Sequence, residues 1–269
     1  MVNRFLLVLL FLASVILSAC ESSETGQSNL RLLLTDAPAD EASQLVVQFG
    51  AIKLITSGDE EGESGLTVSD SAGSFDVLTL RNGTTALLSD KNIPDGIYSQ
   101  LRLIIEEATI TIDDKDNNVK IPSGAQSGLK INIDPPLVAQ KGQISTIILD
   151  FNANRVIETG NGSYIMSPTA IRATSVSGTL QGTLQDKEGN LLANGLVTVT
   201  DASGIAITET KTAEDGLFKI ISLNEGSYTV EVSLEDYESQ TFIGVSIQEN
   251  ETTKLTETGV VNLELAPTP

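Results

Sequence analysis

The chain contains no histidine and no tryptophan, and it has one cysteine and four tyrosines in 269 residues. Without imidazole there is no Ser-His or Cys-His triad and no histidine-ligated zinc or haem site. So few large rings argue against a wide stacking platform for sugars or single-stranded bases. Cations are scarce as well: 16 Lys and Arg against 36 Asp and Glu give a net charge of −20. Such a surface repels nucleic acid and anionic headgroups, so nucleic acid is not an expected partner. The sequence shows no long amphipathic helix pattern, and no residue constellation in it names a reaction.

What is present begins with a leader. Arg4 supplies a positive start, residues 5–17 form an apolar run, and small residues lead up to Cys20, which is the order of a secretory signal. The run has 13 residues. About 20 are needed to span roughly 30 Å of hydrocarbon, and no basic stop-transfer cluster follows. Leu17-Ser18-Ala19-Cys20 resembles the lipobox of bacterial lipoproteins. The resemblance implies that residues 1–19 are a signal peptide, that the Cys20 thiol receives a diacylglyceryl group, and that the freed Cys20 amine is acylated. An ordinary secreted protein cut near Ala19 is the alternative. Acylation would remove the only thiol from thiolate and disulfide chemistry. Several acyl chains, at about 0.8 kcal/mol per buried methylene, hold far more firmly than one. The expected partner is then the membrane, reached through the lipid anchor, and the expected location is the bacterial cell envelope. Glu21, where aspartate would signal retention, favours the outer membrane over the inner by resemblance to the sorting rule of Gram-negative lipoproteins. Loss of the leader removes Arg4 and takes the net charge from −20 to −21.

Residues 20–28 read as the lipidated cysteine and a polar spacer with a reach of about 15 Å. Beyond them come short runs rich in Val, Ile, Leu and Thr between Gly, Asn, Asp and Pro clusters, an all-β texture. Residues 30–35, 44–55, 74–80, 98–112, 129–133 and 144–151 are expected strands; in 108–112 the period of two puts Ile110 and Ile112 on one face. Residues 58–65, Asn82-Gly83, Pro94-Asp95-Gly96 and residues 113–118 read as surface turns. Gly96, Gly162 and Gly226 each precede a tyrosine by two residues: Tyr98, Tyr164 and Tyr228. The glycine supplies a turn and the ring falls on the same face, able to plug a sandwich end while its hydroxyl bonds a loop. Tyr228 is expected to be buried at the start of a central strand, with Val230 and Val232 facing the same core.

Five groups of strings occur in order: Leu34-Thr35-Asp36-Ala37-Pro38; residues 75–83; residues 93–103; residues 121–124 with 127–130; and Leu149-Asp150-Phe151 ahead of residues 164–172. Together they resemble a family of bacterial and archaeal lipoproteins known as a domain of unknown function, over residues 29–174. The strings at residues 182–192, 197–199, 215–220 and 225–230, with Tyr237, resemble the carboxypeptidase regulatory-like domain, over residues 178–269. That domain is a small prealbumin-like sandwich, found as a structural or carbohydrate-binding-like accessory, and it brings no peptidase activity. Asn194-Gly195, Ala213-Glu214 and Asp236 depart from its usual residues. The two resemblances imply an all-β chain of two consecutive β-sandwich domains, immunoglobulin-like or prealbumin-like, behind the leader.

Few residues suggest chemistry. Asp114, Asp116 and Asn118 have the one-three-five spacing of a calcium loop, yet Val119 and Ala125 stand where glycine and a bidentate glutamate belong. They read as a hairpin turn and only weakly as a metal site. Asp150, Asn152 and Asn154 repeat the spacing, with Arg155 and Asn161 at those positions, and read as a capped strand end. Asp36, beside Ala37-Pro38, reads first as an Asx turn and second as a ligand. Acid-only glycoside hydrolysis needs two carboxylates about 5–10 Å apart, which 36 acids supply by chance. The expectation is therefore a non-catalytic, lipid-anchored envelope protein without cofactor or metal, presenting its sandwiches to an envelope protein or polysaccharide. A carbohydrate-binding lipoprotein is the first alternative, and an acid-dependent, calcium-assisted hydrolase the second.

Overall fold

The computed structural model describes residues 26–37, 42–59, 65–122, 128–167, 169–175 and 177–266. The leader, Cys20, most of the spacer and the side chain of Asp36 lie outside the described residues. Among the described residues no helix is long and apolar enough to cross a membrane.

The first domain comprises β1 (Gln27–Ala37), β2 (Gln44–Thr56), β3 (Leu66–Ser69), β4 (Gly73–Asp76), β5 (Ala86–Pro94), β6 (Gly96–Ile112), β7 (Lys115–Lys120), β8 (Leu129–Ala139), β9 (Ile144–Asn152), β10 (Val156–Glu158), β11 (Tyr164–Met166) and β12 (Ile171–Thr174). One layer is β5-β1-β9-β12, in which β1 runs antiparallel to β5 and parallel to β9. The other is built on the long β6, flanked by β2 on one side and by β7 and β8 on the other. β8 also meets β12 at Ile133 and Ala173, which joins both layers into one 12-stranded sheet. The period of two sends Leu30, Leu32 and Leu34 of β1, Leu101, Leu103 and Ile105 of β6, and Leu149 and Phe151 of β9 into a single core. Each such side chain contributes roughly 1.5–3 kcal/mol when fully buried.

The second domain comprises β13 (Gly178–Asp186), β14 (Leu196–Thr200), β15 (Ala206–Lys211), β16 (Leu217–Leu223), β17 (Gly226–Ser233), β18 (Gln240–Ile247), β19 (Thr252–Lys254) and β20 (Val260–Leu263). Its two four-stranded sheets are β16-β13-β19, with β20 also on β13, and β15-β14-β17-β18. They enclose a core of their own, including Leu180, Leu184, Val197, Phe218, Val230 and Val232. The protein is all-β, two consecutive β-sandwiches.

Local departures from expectation have local causes. β1 begins at Gln27, so Gln27 and Ser28 belong to the fold and not to the spacer; the Ser28 hydroxyl is buried, 2.6 Å from Ser145 Oγ, and donates to the Gln143 carbonyl. Residues 74–80 alternate like a strand, but only the first three continue β4. There the Asp76 carboxylate accepts from the Leu78 and Leu45 amides and caps a 3₁₀ turn at Val77–Thr79. In the second domain Asp186 accepts from the side-chain amide and the backbone N–H of Asn190, and these bonds, the side-chain one foremost, hold its carboxyl below the usual range. This closes the expected turn, though the strand after it shrinks to one bridge, Gln185 with Leu191.

The glycine-tyrosine repeat has one geometry in both domains. The Tyr98 hydroxyl donates to the Pro94 carbonyl at 2.9 Å, and that of Tyr228 to the Asn224 carbonyl at 3.0 Å, each four residues back. The rings fold back over Gly96 and Gly226, where even a Cβ would make only ordinary contact with them. Tyr98 is buried; Tyr228 opens the inner strand β17 above buried Val230 and Val232, but is itself only half-buried. A ring closing a sandwich end keeps one edge toward the loop it bonds. Tyr164 is half-buried at the start of β11.

Burial raises the phenol pKa of Tyr98, helped by Asp95, and that of Tyr228, where Arg172 pulls the other way. A raised phenol pKa means stability that is fully present below about pH 10 and lost as pH rises through the folded-state values. Melting midpoints between pH 8 and 11.5 should fall more steeply above pH 10 for the native protein than for a Tyr98→Phe, Tyr228→Phe variant. At neutral pH each replacement should cost about 0.5–1.5 kcal/mol through its lost hydrogen bond.

Candidate functional site

The strand register of the first domain aligns Thr35 on β1, Asp150 on β9 and Arg172 on β12 in one cross-strand row. The neighbouring row is Leu33, Ile148 and Thr174. Residues between these rows, such as Leu34, Leu149 and Ala173, point into the core, so Asp150, Arg172 and Thr174 are left on the opposite face, against β15 and β16 of the second domain.

There the contacts are polar. Arg172 Nη2 donates to Asp150 Oδ2 at 2.9 Å and to the Ser222 carbonyl at 3.0 Å, while Ser222 Oγ donates to the same Asp150 oxygen at 2.8 Å. Asp150 is 4% exposed and Ser222 1%. Thr174 Oγ1 donates to Asn224 Oδ1 at 2.6 Å, Thr210 Oγ1 donates to Asn82 Oδ1 at 3.0 Å, and Asn154 donates to Glu209. Asn82 and Gly83 both have left-handed backbone, φ 54° and 75°, which fits this asparagine-glycine pair. Read from sequence as a surface turn, the pair instead packs on the second domain. A void of about 10 Å³ between Thr35, Asn82, Asp150 and Ser222 is the size of a single water. A charge this buried is tolerated only when paired and hydrogen-bonded, and Asp150 is both.

The sequence-derived candidates fall elsewhere. Asp113 and Asp114, at φ 50° and 58°, form the turn between β6 and β7; the strand resumes at Lys115, Asp116 accepts from Thr111 Oγ1 at 2.7 Å, and Asn118 is exposed on β7. Asp150, Asn152 and Asn154 do not converge: Asp150 is the buried partner of Arg172, while Asn152 caps the 3₁₀ turn Ala153–Arg155 by accepting from the Asn154 amide. Among the described residues no group of three His, Cys, Asp or Glu stands close enough to hold a metal. The seam itself carries a signal in sequence: Asp150 sits inside Ile147-Ile148-Leu149-Asp150-Phe151 and Arg172 inside Ala170-Ile171-Arg172-Ala173. A charge within an apolar strand requires a partner.

A family model for a domain of unknown function (DUF4382) matches residues 27–168, and one for the carboxypeptidase regulatory-like domain matches residues 179–258. No curated protein matches the chain. Similar solved structures include the TIE protein of Bacillus anthracis, at 18% identity over 88% of this chain and 34% of that one, with a TM-score of 0.28. The minor pilin GBS52 of Streptococcus agalactiae is 12% identical over 89% of this chain and 97% of its own, TM-score 0.28. The shaft pilin SpaA of Lactobacillus rhamnosus GG is 9% identical over 90% and 100%, TM-score 0.27. The chain thus spans about a third of the first of these, and at such TM-scores the likeness carries no argument.

Arg172→Ala should leave the Asp150 carboxylate buried with Ser222 alone, at a cost of about 3 kcal/mol. Calorimetry should show the single melting transition of the native protein separating into two. Arg172→Met with Asp150→Leu, which removes both charges, should be milder.

Proposed function

Because the chain belongs to the family of the domain of unknown function DUF4382 and carries a carboxypeptidase regulatory-like domain behind it, we propose that it is a non-catalytic, lipid-tethered cell-envelope protein that presents two firmly joined β-sandwiches to a partner. The observation that carries this reading is the Asp150–Arg172–Ser222 network, which ties the two sandwiches into one unit. Most domain pairs within a chain meet through loose, mobile interfaces. A protein that only had to tether two independent modules would need no buried ion pair between them. A platform whose surfaces must keep their relative positions does.

The tether rests on the Leu17-Ser18-Ala19-Cys20 string. After cleavage, residues 1–19 are gone, Cys20 carries the acyl chains, and Glu21 directs the protein to the outer membrane. With β1 starting at Gln27, only six residues lie between Cys20 and the first strand, a short tether. The second domain works within that short reach, so its partner is another component of the same envelope, a protein or a polysaccharide. The absence of histidine and of a free thiol in the mature chain fits a binding role better than a catalytic one.

Labelling cells with radioactive palmitate tests the tether. The native protein should incorporate label and sediment with outer-membrane vesicles, whereas Cys20→Ala should remain unlabelled with its leader uncut. Equal labelling of the two would refute the assignment, and recovery of the native protein with the inner membrane would refute the sorting.

A further inference from the structure

The edge of β13 is shared by two short strands, β19 and β20, with residues 255–259 looping out between them. The loop is firm: the Gly259 amide donates to the Thr256 carbonyl, Thr256 Oγ1 to the Val260 carbonyl, and the Thr183 amide of β13 to the Gly259 carbonyl. Between this loop, β13 and β16 lies an open cleft of about 500 Å³, which Asn82 of the first domain reaches from across the seam. That volume is in the range of small-ligand sites.

Two of the chain's 16 cations, Lys219 and Lys254, line this one cleft. Among the described residues neither makes an ion pair or a side-chain hydrogen bond. Each stem also lies across a glycine with left-handed backbone. A Cβ on Gly83 (φ 75°) would stand 2.9 Å from Lys219 Cδ, and one on Gly259 (φ 80°) 3.4 Å from Lys254 Cδ. The Lys219 stem thus occupies space that a side chain at position 83 would need, whereas Lys254 makes only ordinary contact with the backbone at Gly259. The lining also includes the hydrogen-bonding groups of Gln181, Thr258 and the Asp215 carboxylate, and the apolar Phe218 and half-exposed Leu217. One Asp215 oxygen already accepts from the Leu217 amide at 3.1 Å.

We propose that this cleft binds an acidic saccharide. Its carboxylate or phosphate would lie between the two ammonium groups, its hydroxyls against Gln181, Thr258 and Asp215, and a ring's C–H face on Leu217. Two cations select an anion; a carboxylate and neutral donors beside them select hydroxyl groups on the same molecule. A bare anion would have no use for Asp215, and a neutral sugar none for the lysines. The site is independent of the lipid tether, so failure of one proposal leaves the other standing.

Calorimetric titration of the intact protein in non-ionic detergent tests it, with trigalacturonate, glucose 6-phosphate, maltotriose and inorganic phosphate as probes. Trigalacturonate or glucose 6-phosphate should bind, which of the two identifying the anionic group, and maltotriose should bind at least about tenfold more weakly. Lys219→Gln and Lys254→Gln should each weaken binding about tenfold at an unchanged melting midpoint, and Lys254→Arg should restore most of it. The proposal is overturned if neither acidic saccharide binds at millimolar concentration, if maltotriose or inorganic phosphate binds as tightly, or if the double glutamine variant keeps native affinity.

Discussion

A carboxylate that is 4% exposed stays charged only if the protein replaces the water it has lost, and the arrangement of this molecule follows from how Asp150 meets that demand. Arg172 stands opposite it across one strand pair, and Ser222 reaches it from the other domain. Two of the three groups belong to the first sandwich and one to the second, so the charge is fully compensated only when the domains are docked. A purely apolar seam would have tolerated sliding. A buried charge with directional bonds does not, because every shift that lengthens a bond exposes the carboxylate to an uncompensated interior.

The seam also explains why several polar residues are buried without lying in either core. Thr35, Thr174, Thr208, Thr210 and Ser222 are all nearly inaccessible. Threonine and serine suit such a place: they hold a strand conformation or a short turn, bury modest area, and turn their hydroxyls toward whatever acceptor the opposite surface offers. Asn82 accepts from Thr210 and Asn224 from Thr174, so amide oxygens from loops meet hydroxyls from strands in both directions across the boundary.

Much of the architecture was legible because strand alternation is a local signal. The long β2 and β6, the glycine-tyrosine turns and the two-domain layout all announce themselves within short windows. What stayed hidden depends on distance in sequence. The Val77–Thr79 turn follows from Asp76 accepting an amide from Leu45 as well as from Leu78, and nothing near Asp76 reveals that partner. β7 hides inside a polar string, Lys115–Lys120, that only its pairing with β6 makes a strand. The spacing of Asp150, Asn152 and Asn154 read as a capped strand end, and Asn152 does cap the 3₁₀ turn that follows β9. On a strand the period of two does put alternate residues on one face, but Asn152 ends β9 as a cap, so the three carry separate duties. The seam was foreshadowed only by charges embedded in apolar runs; that Asp150 and Arg172 answer each other is a matter of register, and register is a property of the folded sheet.

The position of β1 has a mechanical meaning. The strand nearest the start of the fold is not at an edge: β1 is hydrogen-bonded along its length to antiparallel β5 and to parallel β9. Tension applied along β1 through Gln27 would slide it past both neighbours at once, loading many backbone bonds together in shear. A peripheral strand pulled from its end would open one bond at a time. A force drawn along β1 therefore works against two rows of backbone bonds at once.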